Sequence, residues 1–233
     1  MDKKNTKDNI ISHAIQLFYE TGYEKTTLRK IAEESGYSHV AFRYYYKNKA
    51  EIADVLIERY FQGLVKISKE TEQSTFIDHH DKLYRILPYW YIHYLMILSD
   101  DRFSRFYIEF YKSDNDAFIK SVSKHAYSVY KELYGSDRTY PRNEEIYNFF
   151  NVLTNMDITL IRLCYEKRIS IQKAIQYLFN MQIFSDLKLN SLSDGDEPFV
   201  TLDEIDAFIS RYIDDRLVLQ YSIYDDFLCQ NGK

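Results

Sequence analysis

The chain is poor in the residues that interrupt helices, cross-link chains or cross membranes. Its 233 residues include only 6 Gly and 3 Pro, and few runs alternate as half-buried strands do. The two cysteines, Cys164 and Cys229, stand far apart without a CxxC pair, which argues against a disulfide framework or a zinc site. The longest nearly apolar run, 89–98, is half the roughly 20 residues that a membrane span needs. Because no signal-peptide pattern opens the chain either, we expect a globular protein of the reducing cytoplasm.

Sequence signatures of catalysis are missing as well. The chain has no GxSxG, GxGxxG, Walker loop or HExxH, and no Cys/His pair has a plausible spacing. The run Asp78-His79-His80-Asp81 has metal-ligand residue types, but adjacent histidines on a helix point about 100° apart and cannot easily share one ion. We therefore predict no enzymatic activity, no metal site and no cofactor, and interpret 78–81 as a solvated helix start.

Apolar residues recur at helical spacing along most of the chain, and its 23 Tyr and 15 Phe predict a core rich in aromatic rings. The predicted helices are 6–21, 27–34, 38–45, 48–72, 76–98 with a kink or break near Pro88, 101–112, 115–134, 143–167, 171–189 and 201–228. Residues 191–198 are the clearest linker. The pattern predicts an all-α chain with a small head, 1–50, and a larger body, 51–233.

Charge is divided between these two parts. The chain has a formal net charge of −5, but residues 1–50 contain nine Lys/Arg and six Asp/Glu, which leaves the head basic and the rest acidic. Attraction to phosphates is screened beyond about 8–10 Å, so a local basic surface matters more than the net charge. A basic head on an acidic body is typical of a protein that presents one face to nucleic acid.

The head contains two short helices on either side of Gly36-Tyr37. Thr26-Thr27 can cap the first helix, Gly36 can end it in a left-handed conformation, and Ser38 can cap the second. Asn48 and Glu51 form a plausible capping box for the helix that follows. This is the sequence form of a helix-turn-helix, in which the second helix lies in the major groove of DNA.

Many residues of the head have the types and spacing that are typical of one protein family. It is carried by Ile11, Ala14, Leu17, Phe18, Gly22, Tyr23, Thr26, Thr27, Ile31, Ala32, Ser35, Gly36, Tyr37, Ser38, Phe42, Tyr45, Tyr46, Lys47, Asn48, Lys49 and Ile52. Over about residues 6–55 the chain resembles the N-terminal DNA-binding domain of the TetR family of transcriptional regulators. Val40 and Arg43 depart from the usual pattern, which has a small residue or proline at the first position and tyrosine at the second. The resemblance implies a helix-turn-helix head followed by a helical ligand-binding and dimerisation domain.

The resemblance also implies which head residues meet DNA. Carried over position by position, the candidates for base edges are Arg29, His39, Val40 and Ala41. The candidates for phosphates are Thr27, Arg43, Tyr44, Tyr45 and Lys49. Elementary chemistry agrees, since arginine can pair with guanine through two hydrogen bonds and Lys49 lies in the first turn of its helix, where anions are favoured.

The body contains an aromatic cluster around Pro88 that could pack as core or enclose a small molecule. In the family this region usually holds a ligand pocket, so the resemblance implies candidate ligand residues. They are Trp90, His93, Tyr94, Phe106, Tyr107, Phe110, Phe150, Thr154 and Asp157. Asp157 falls on the apolar stripe of 143–167, where a buried carboxylate needs a partner. It could pair with Arg162 or Arg168 across a dimer interface, bind a ligand amine, or lie at the edge of the stripe.

These expectations combine into one hypothesis and its alternatives. The chain is expected to be a homodimeric regulator, most simply a repressor, that binds a palindromic double-stranded operator and responds to a small-molecule effector. Helices 143–167 and 171–189 would form much of the dimer interface, with 201–228 adding to it. The alternatives are a protein-interaction or ligand-binding module with a vestigial head, a transcriptional activator of the same fold, and a helical enzyme with an aromatic pocket.

Overall fold

The computed structural model of the chain describes residues 3–74, 82–134 and 143–180. Throughout these ranges the chain forms α-helices and no strand, so the predicted all-α class is confirmed. None of the helices described there is long and apolar enough to cross a membrane. In chain order the helices are α1 (Lys3–Thr21), α2 (Leu28–Glu34), α3 (His39–Arg43), α4 (Lys49–Ser74), α5 (Lys82–Leu98), α6 (Asp101–Ser113), α7 (Asn115–Tyr134), α8 (Asn143–Tyr165) and α9 (Ile171–Phe179).

The head is built from α1, α2 and α3 around a small apolar core. Ile10, Ala14 and Phe18 lie four residues apart on α1 and are fully buried. They share this core with Ile31 of α2 and Phe42 of α3, which are also fully buried. Because α2 and α3 are too short to be stable alone, this shared burial is what holds them as helices.

Side-chain caps set where the helices of the head and its neighbour begin. The hydroxyls of Thr27 and Ser38 each accept a backbone N–H three residues on, at 3.2 Å, which starts α2 and α3. Asn48 accepts the N–H of Glu51 at 2.9 Å at the start of α4. Glu51 reaches back to the N–H of Lys47, at 2.9 Å, so the return bond of the expected capping box falls one residue earlier than predicted.

The body packs α4 along α7 and α7 along α8, with α5 and α6 closing the bundle and α9 against α5 and α8. Its core joins that of the head, because α6 also packs on α1. The ring centroid of Phe106 lies 5.2 Å from that of Phe18, and Phe110 lies 4.7 Å from Tyr23. Head and body therefore meet through buried aromatic rings as well as through α4.

Three helices of the body differ from their predicted extents. Helix α5 continues through Pro88, so the proline does not end a first segment there; tertiary packing of Tyr91, Ile92 and Tyr94 in the core favours the uninterrupted helix. Helix α8 ends at Tyr165, followed by Lys167 with a positive φ of 56°. Helix α9 is capped by Ser170 as predicted, but it ends at Phe179 with Asn180 as its C-cap. The run at 78–81, the linker at 191–198, the helix at 201–228 and Cys229 lie outside the described residues.

Candidate functional site

The turn at Gly36-Tyr37 fixes the angle between α2 and α3. The N–H of Gly36 donates to the carbonyl of Glu33 at 3.1 Å, and the N–H of Tyr37 donates to that of Ala32 at 2.9 Å. This pair of bonds is a Schellman motif, and Gly36 has the left-handed φ of 79° that it requires. Hydrogen bonds between residues close in sequence therefore end α2 and set the direction in which α3 begins.

Helix α3 has one buried anchor and an exposed outer face. Phe42 is fully buried, while His39, Val40, Ala41, Arg43 and Tyr44 are exposed. Val40 and Tyr44, one helical turn apart, are 83% and 76% exposed. Tyr45 is half-buried, with its ring edge-on to Tyr44 at 5.6 Å. Three predicted base-edge residues (His39, Val40 and Ala41) and two predicted phosphate candidates (Arg43 and Tyr44) thus share one solvent-facing segment, which suits contact with a duplex.

The start of α2 lies beside this face. Thr27 is exposed, but its hydroxyl already caps α2. The guanidinium of Arg29 donates to Glu33 at 2.7 Å, and both side chains are largely exposed, which makes this a weak surface pair that a nucleic acid could replace. A cleft of about 460 Å³ separates α2 from α3 and is lined by Arg29, Ala32, Glu33, Tyr37, Ser38 and His39.

Lys49 is placed differently from what its position suggested. Its ammonium donates to the carbonyls of Tyr23 at 2.6 Å and Thr26 at 2.9 Å, and it lies 4.0 Å from the centroid of the Tyr23 ring. Burial lowers the pKa of Lys49, against the opposing effect of nearby carboxylates such as Glu109. Lys49 therefore joins the start of α4 to the α1–α2 turn here, and a phosphate contact for it stays a prediction.

The body holds a buried chain of polar groups that crosses three helices. The hydroxyl of Tyr60, on α4, lies 2.6 Å from Nδ1 of His93 on α5. Nε2 of the same imidazole lies 3.0 Å from Oδ2 of Asp157 on α8, and all three side chains are buried. Asp157 is 3% exposed, so it lies inside the body and not at the edge of the stripe. Its partner in this chain is His93, a pairing that the sequence did not predict.

Three polar atoms beside this chain have no hydrogen bond of normal geometry among the described residues. They are Oδ1 of Asp157 and the hydroxyls of Tyr94 and Tyr107. Burial is the main cause that raises the pKa of Tyr94 and that of Tyr107 well above the ordinary value of a phenol. The nearby charge of Asp157 is the second cause for both. Both phenols therefore stay neutral and can donate a hydrogen bond.

The nine predicted ligand residues do not form one group. Trp90, His93, Tyr94, Tyr107 and Asp157 belong to the region of the polar chain, with Trp90 edge-on to His93 at 5.6 Å. Phe106 and Phe110 lie instead at the junction with the head. Phe150 packs on Tyr127, and Thr154 lies 3.1 Å from the hydroxyl of Ser123, both between α7 and α8.

The described residues of the body line two surface clefts, among others. One, of about 510 Å³, lies at the α8–α9 turn; the other, of about 370 Å³, lies on the outer face of α8. Neither of these two clefts is lined by any of the nine predicted residues. In the described parts of the chain no three His, Cys, Asp or Glu side chains are grouped so as to hold a metal ion.

Sequence reasoning missed the polar contacts that fasten the head to α6. Oε2 of Glu109 accepts the backbone N–H of Glu24 at 3.0 Å, and the guanidinium of Arg105 donates to the carbonyl of Tyr19. It also missed Asp54 of α4, which accepts from Ser121 and His125 of α7 at 2.6 and 2.9 Å. No local sequence signal could have found them, because the partners are 67 or more positions apart.

Comparison with known proteins agrees with the geometry of the head. Residues 10–56 match the family model described as bacterial regulatory proteins, tetR family. The chain is 30% identical over 96 residues to the "Probable HTH-type transcriptional regulator YttP" of Bacillus subtilis, covering 39% of this chain and 46% of that protein. It is 27% identical over 129 residues to the negative regulator IcaR of the biofilm operon icaADBC of Staphylococcus epidermidis, covering 55% of this chain and 65% of that protein. The alignments thus span about half to two thirds of these relatives.

Solved structures share the fold at low sequence identity. The TetR-family repressor FadR of Thermus thermophilus, solved with lauroyl-CoA, gives a TM-score of 0.52 at 13% identity and covers 84% of this chain and 99% of that one. A tetR-family regulator of Streptomyces coelicolor gives 0.50 at 13% identity, covering 90% and 98%. At such identity the likeness concerns the fold alone.

Proposed function

We propose that this chain is a transcriptional regulator of the tetR family, whose family model matches residues 10–56. The chain is a cytoplasmic homodimeric repressor that binds a palindromic operator and leaves it when a small molecule enters the body. The observation that carries the DNA-binding part is the outer face of α3, where Val40 and Tyr44 project into solvent while Phe42 anchors the helix. A rigid element with an exposed N-terminal half is what major-groove reading needs.

The proposed base contacts come from Arg29, His39, Val40 and Ala41. Thr27, Arg43, Tyr44, Tyr45 and Lys49 are the proposed phosphate contacts, and Lys49 would have to exchange a carbonyl partner for a phosphate. Two heads of a dimer would occupy major grooves about 34–36 Å apart, so a two-fold protein matches a palindrome. A dimer is proposed because one head offers few contacts.

We propose that α8 and α9 form the dimer interface within the described part of the chain. Val152 is 48% exposed on α8, at the cleft shared with Asn155, Met156, Thr159 and Leu160. Tyr165 at the end of α8 and Tyr177 on α9 are also exposed, and exposed apolar surface is typical of a face that a partner covers. We also propose that residues 201–228 add to the dimer interface, and a chain truncated before residue 201 tests this by its oligomeric state.

The effector would enter near the chain Tyr60–His93–Asp157. Support comes from the hydroxyl of Tyr107, which has no hydrogen bond of normal geometry among the described residues and which a bound polar group would satisfy. Because Tyr60 belongs to α4, separating it from His93 would shift the helix that follows α3. The effector can act only through a difference in its affinity for the two arrangements of the heads.

A gel shift with the DNA upstream of the gene, at several salt concentrations, tests the DNA-binding part. We expect specific binding that weakens with salt and is lost or strongly reduced in Arg43→Ala, while the exposed body variant Lys120→Ala binds as the wild type does. Weak binding that is indifferent to DNA sequence would favour the interaction module. Turnover of a pocket compound would favour the enzyme, and activated transcription from a bound promoter would favour the activator.

A further inference from the structure

The apolar side chain of Val40 does not contribute to the core of the head. It is 83% exposed, at the second position of α3, and gains almost nothing from burial. Valine is also a weaker helix former than alanine, so neither the stability of α3 nor the core explains it. Its neighbour Phe42 already supplies the buried anchor of this helix.

The position of Val40 puts it among the side chains that would meet base edges. Ser38 caps α3, so Val40 lies in the first turn, between exposed His39 and exposed Ala41. Tyr44, one turn further, is exposed on the same side. In helix-turn-helix proteins the N-terminal residues of the second helix contact base edges.

The chemistry of the side chain limits what it can recognise. Guanine, adenine and cytosine present hydrogen-bonding groups in the major groove, whereas thymine adds a C5 methyl group. Valine has neither donor nor acceptor, so the methyl group is the edge that matches it. We infer that Val40 reads the C5 methyl of one thymine in each half-site of the DNA. The inference rests on the proposed function and adds to it the base that this residue selects.

Replacing thymidine by deoxyuridine tests this directly, because it removes the methyl group and leaves base pairing intact. The probe is a duplex enriched from a random 30-bp library by the full-length wild-type chain, resynthesised with deoxyuridine at one symmetric pair of positions at a time. Affinities are measured for the wild type, Val40→Ala and Val40→Thr. Lys120→Ala, which truncates an exposed side chain of α7 in the body, is the control.

At one symmetric pair we expect the wild type to lose roughly 4-fold in affinity per half-site, or roughly 15-fold in all. That loss should disappear in Val40→Ala, remain in Lys120→Ala and be intermediate in Val40→Thr, because only coupled groups show this non-additivity. If deoxyuridine costs no affinity, or costs as much in Val40→Ala as in the wild type, the inference is overturned. Specific binding would still leave the proposed function standing in that case. A library that yields no enriched duplex overturns both.

Discussion

Replacing Asp157 with alanine tests whether the polar chain of the body is a buried structural unit. The side chain of Asp157 is 5% exposed, and its Oδ2 lies 3.0 Å from Nε2 of His93, whose own side chain is 2% exposed. Nδ1 of His93 in turn lies 2.6 Å from the hydroxyl of Tyr60. Alanine at 157 would leave the Nε2–H of His93 without its acceptor, in a place where little water can replace it.

The expected magnitude follows from this geometry. Removing one partner of a buried hydrogen bond costs about 1–3 kcal/mol, because the remaining polar atom stays desolvated and unsatisfied. In a chain of about 230 residues each kcal/mol shifts the melting midpoint by about 2–4 °C, so Asp157→Ala should lower the Tm by about 2–12 °C. Asparagine keeps an oxygen that faces Nε2 of His93, so Asp157→Asn should cost less, below about 1 kcal/mol.

Urea unfolding followed by circular dichroism, at one fixed protein concentration, measures these differences in the free energy of unfolding. Glu58→Ala is the control, because Glu58 is an exposed carboxylate on α4 and its loss should change stability by less than about 0.5 kcal/mol. If Asp157→Ala costs no more than Glu58→Ala, the carboxylate is not a buried partner of His93, and the chain Tyr60–His93–Asp157 is refuted. An asparagine variant as unstable as the alanine variant would show that the charge, and not the acceptor, carries the interaction.

Three further outcomes are expected. Both Gly22 and Gly36 have positive φ, but a Cβ at Gly22 would also displace the carboxylate of Glu109, which accepts the backbone N–H of Glu24. Gly22→Ala should therefore lower the free energy of unfolding by more than the roughly 1 kcal/mol of Gly36→Ala, and equal losses in denaturant titrations would contradict the contact. Burial alone would raise the pKa of Asp54, but hydrogen bonds from α7 outweigh it and hold that pKa well below its usual value. The folded state therefore binds fewer protons at Asp54 than the unfolded state, so this stabilisation is present above about pH 4 and is lost as the pH falls further; Asp54→Asn should destabilise the protein at pH 7 and flatten the acid limb of its stability curve. Val152→Asp should shift the sedimenting species toward the monomer and weaken operator binding, while leaving the helical content unchanged; an unaltered dimer would argue against α8 as the interface.

The sequence was sufficient wherever the determining interactions are local. Thr27 and Ser38 cap helices because each hydroxyl reaches a backbone N–H three residues on, and Gly36 ends α2 because its left-handed conformation strains other residues. Helical spacing predicts Phe42 on the buried side of α3, where the structure has it, although the same spacing also predicts a buried Ala41, which is exposed. These contacts are decided within one or two helical turns, so the order of residues is enough to predict the head and the all-α class.

Tertiary packing alone decided the rest. The sequence placed Asp157 on an apolar stripe, but only the approach of α5 to α8 made His93 its partner, 64 positions away. Lys49 has the position of a phosphate ligand, but the α1–α2 turn brings two backbone carbonyls to it, and backbone groups leave no trace in a residue pattern. Phe106 and Phe110, expected in one pocket, lie at the junction with α1. Helical period tells which face of a helix is buried but not which helix covers it, because that choice depends on crossing angles and on partners distant in the chain.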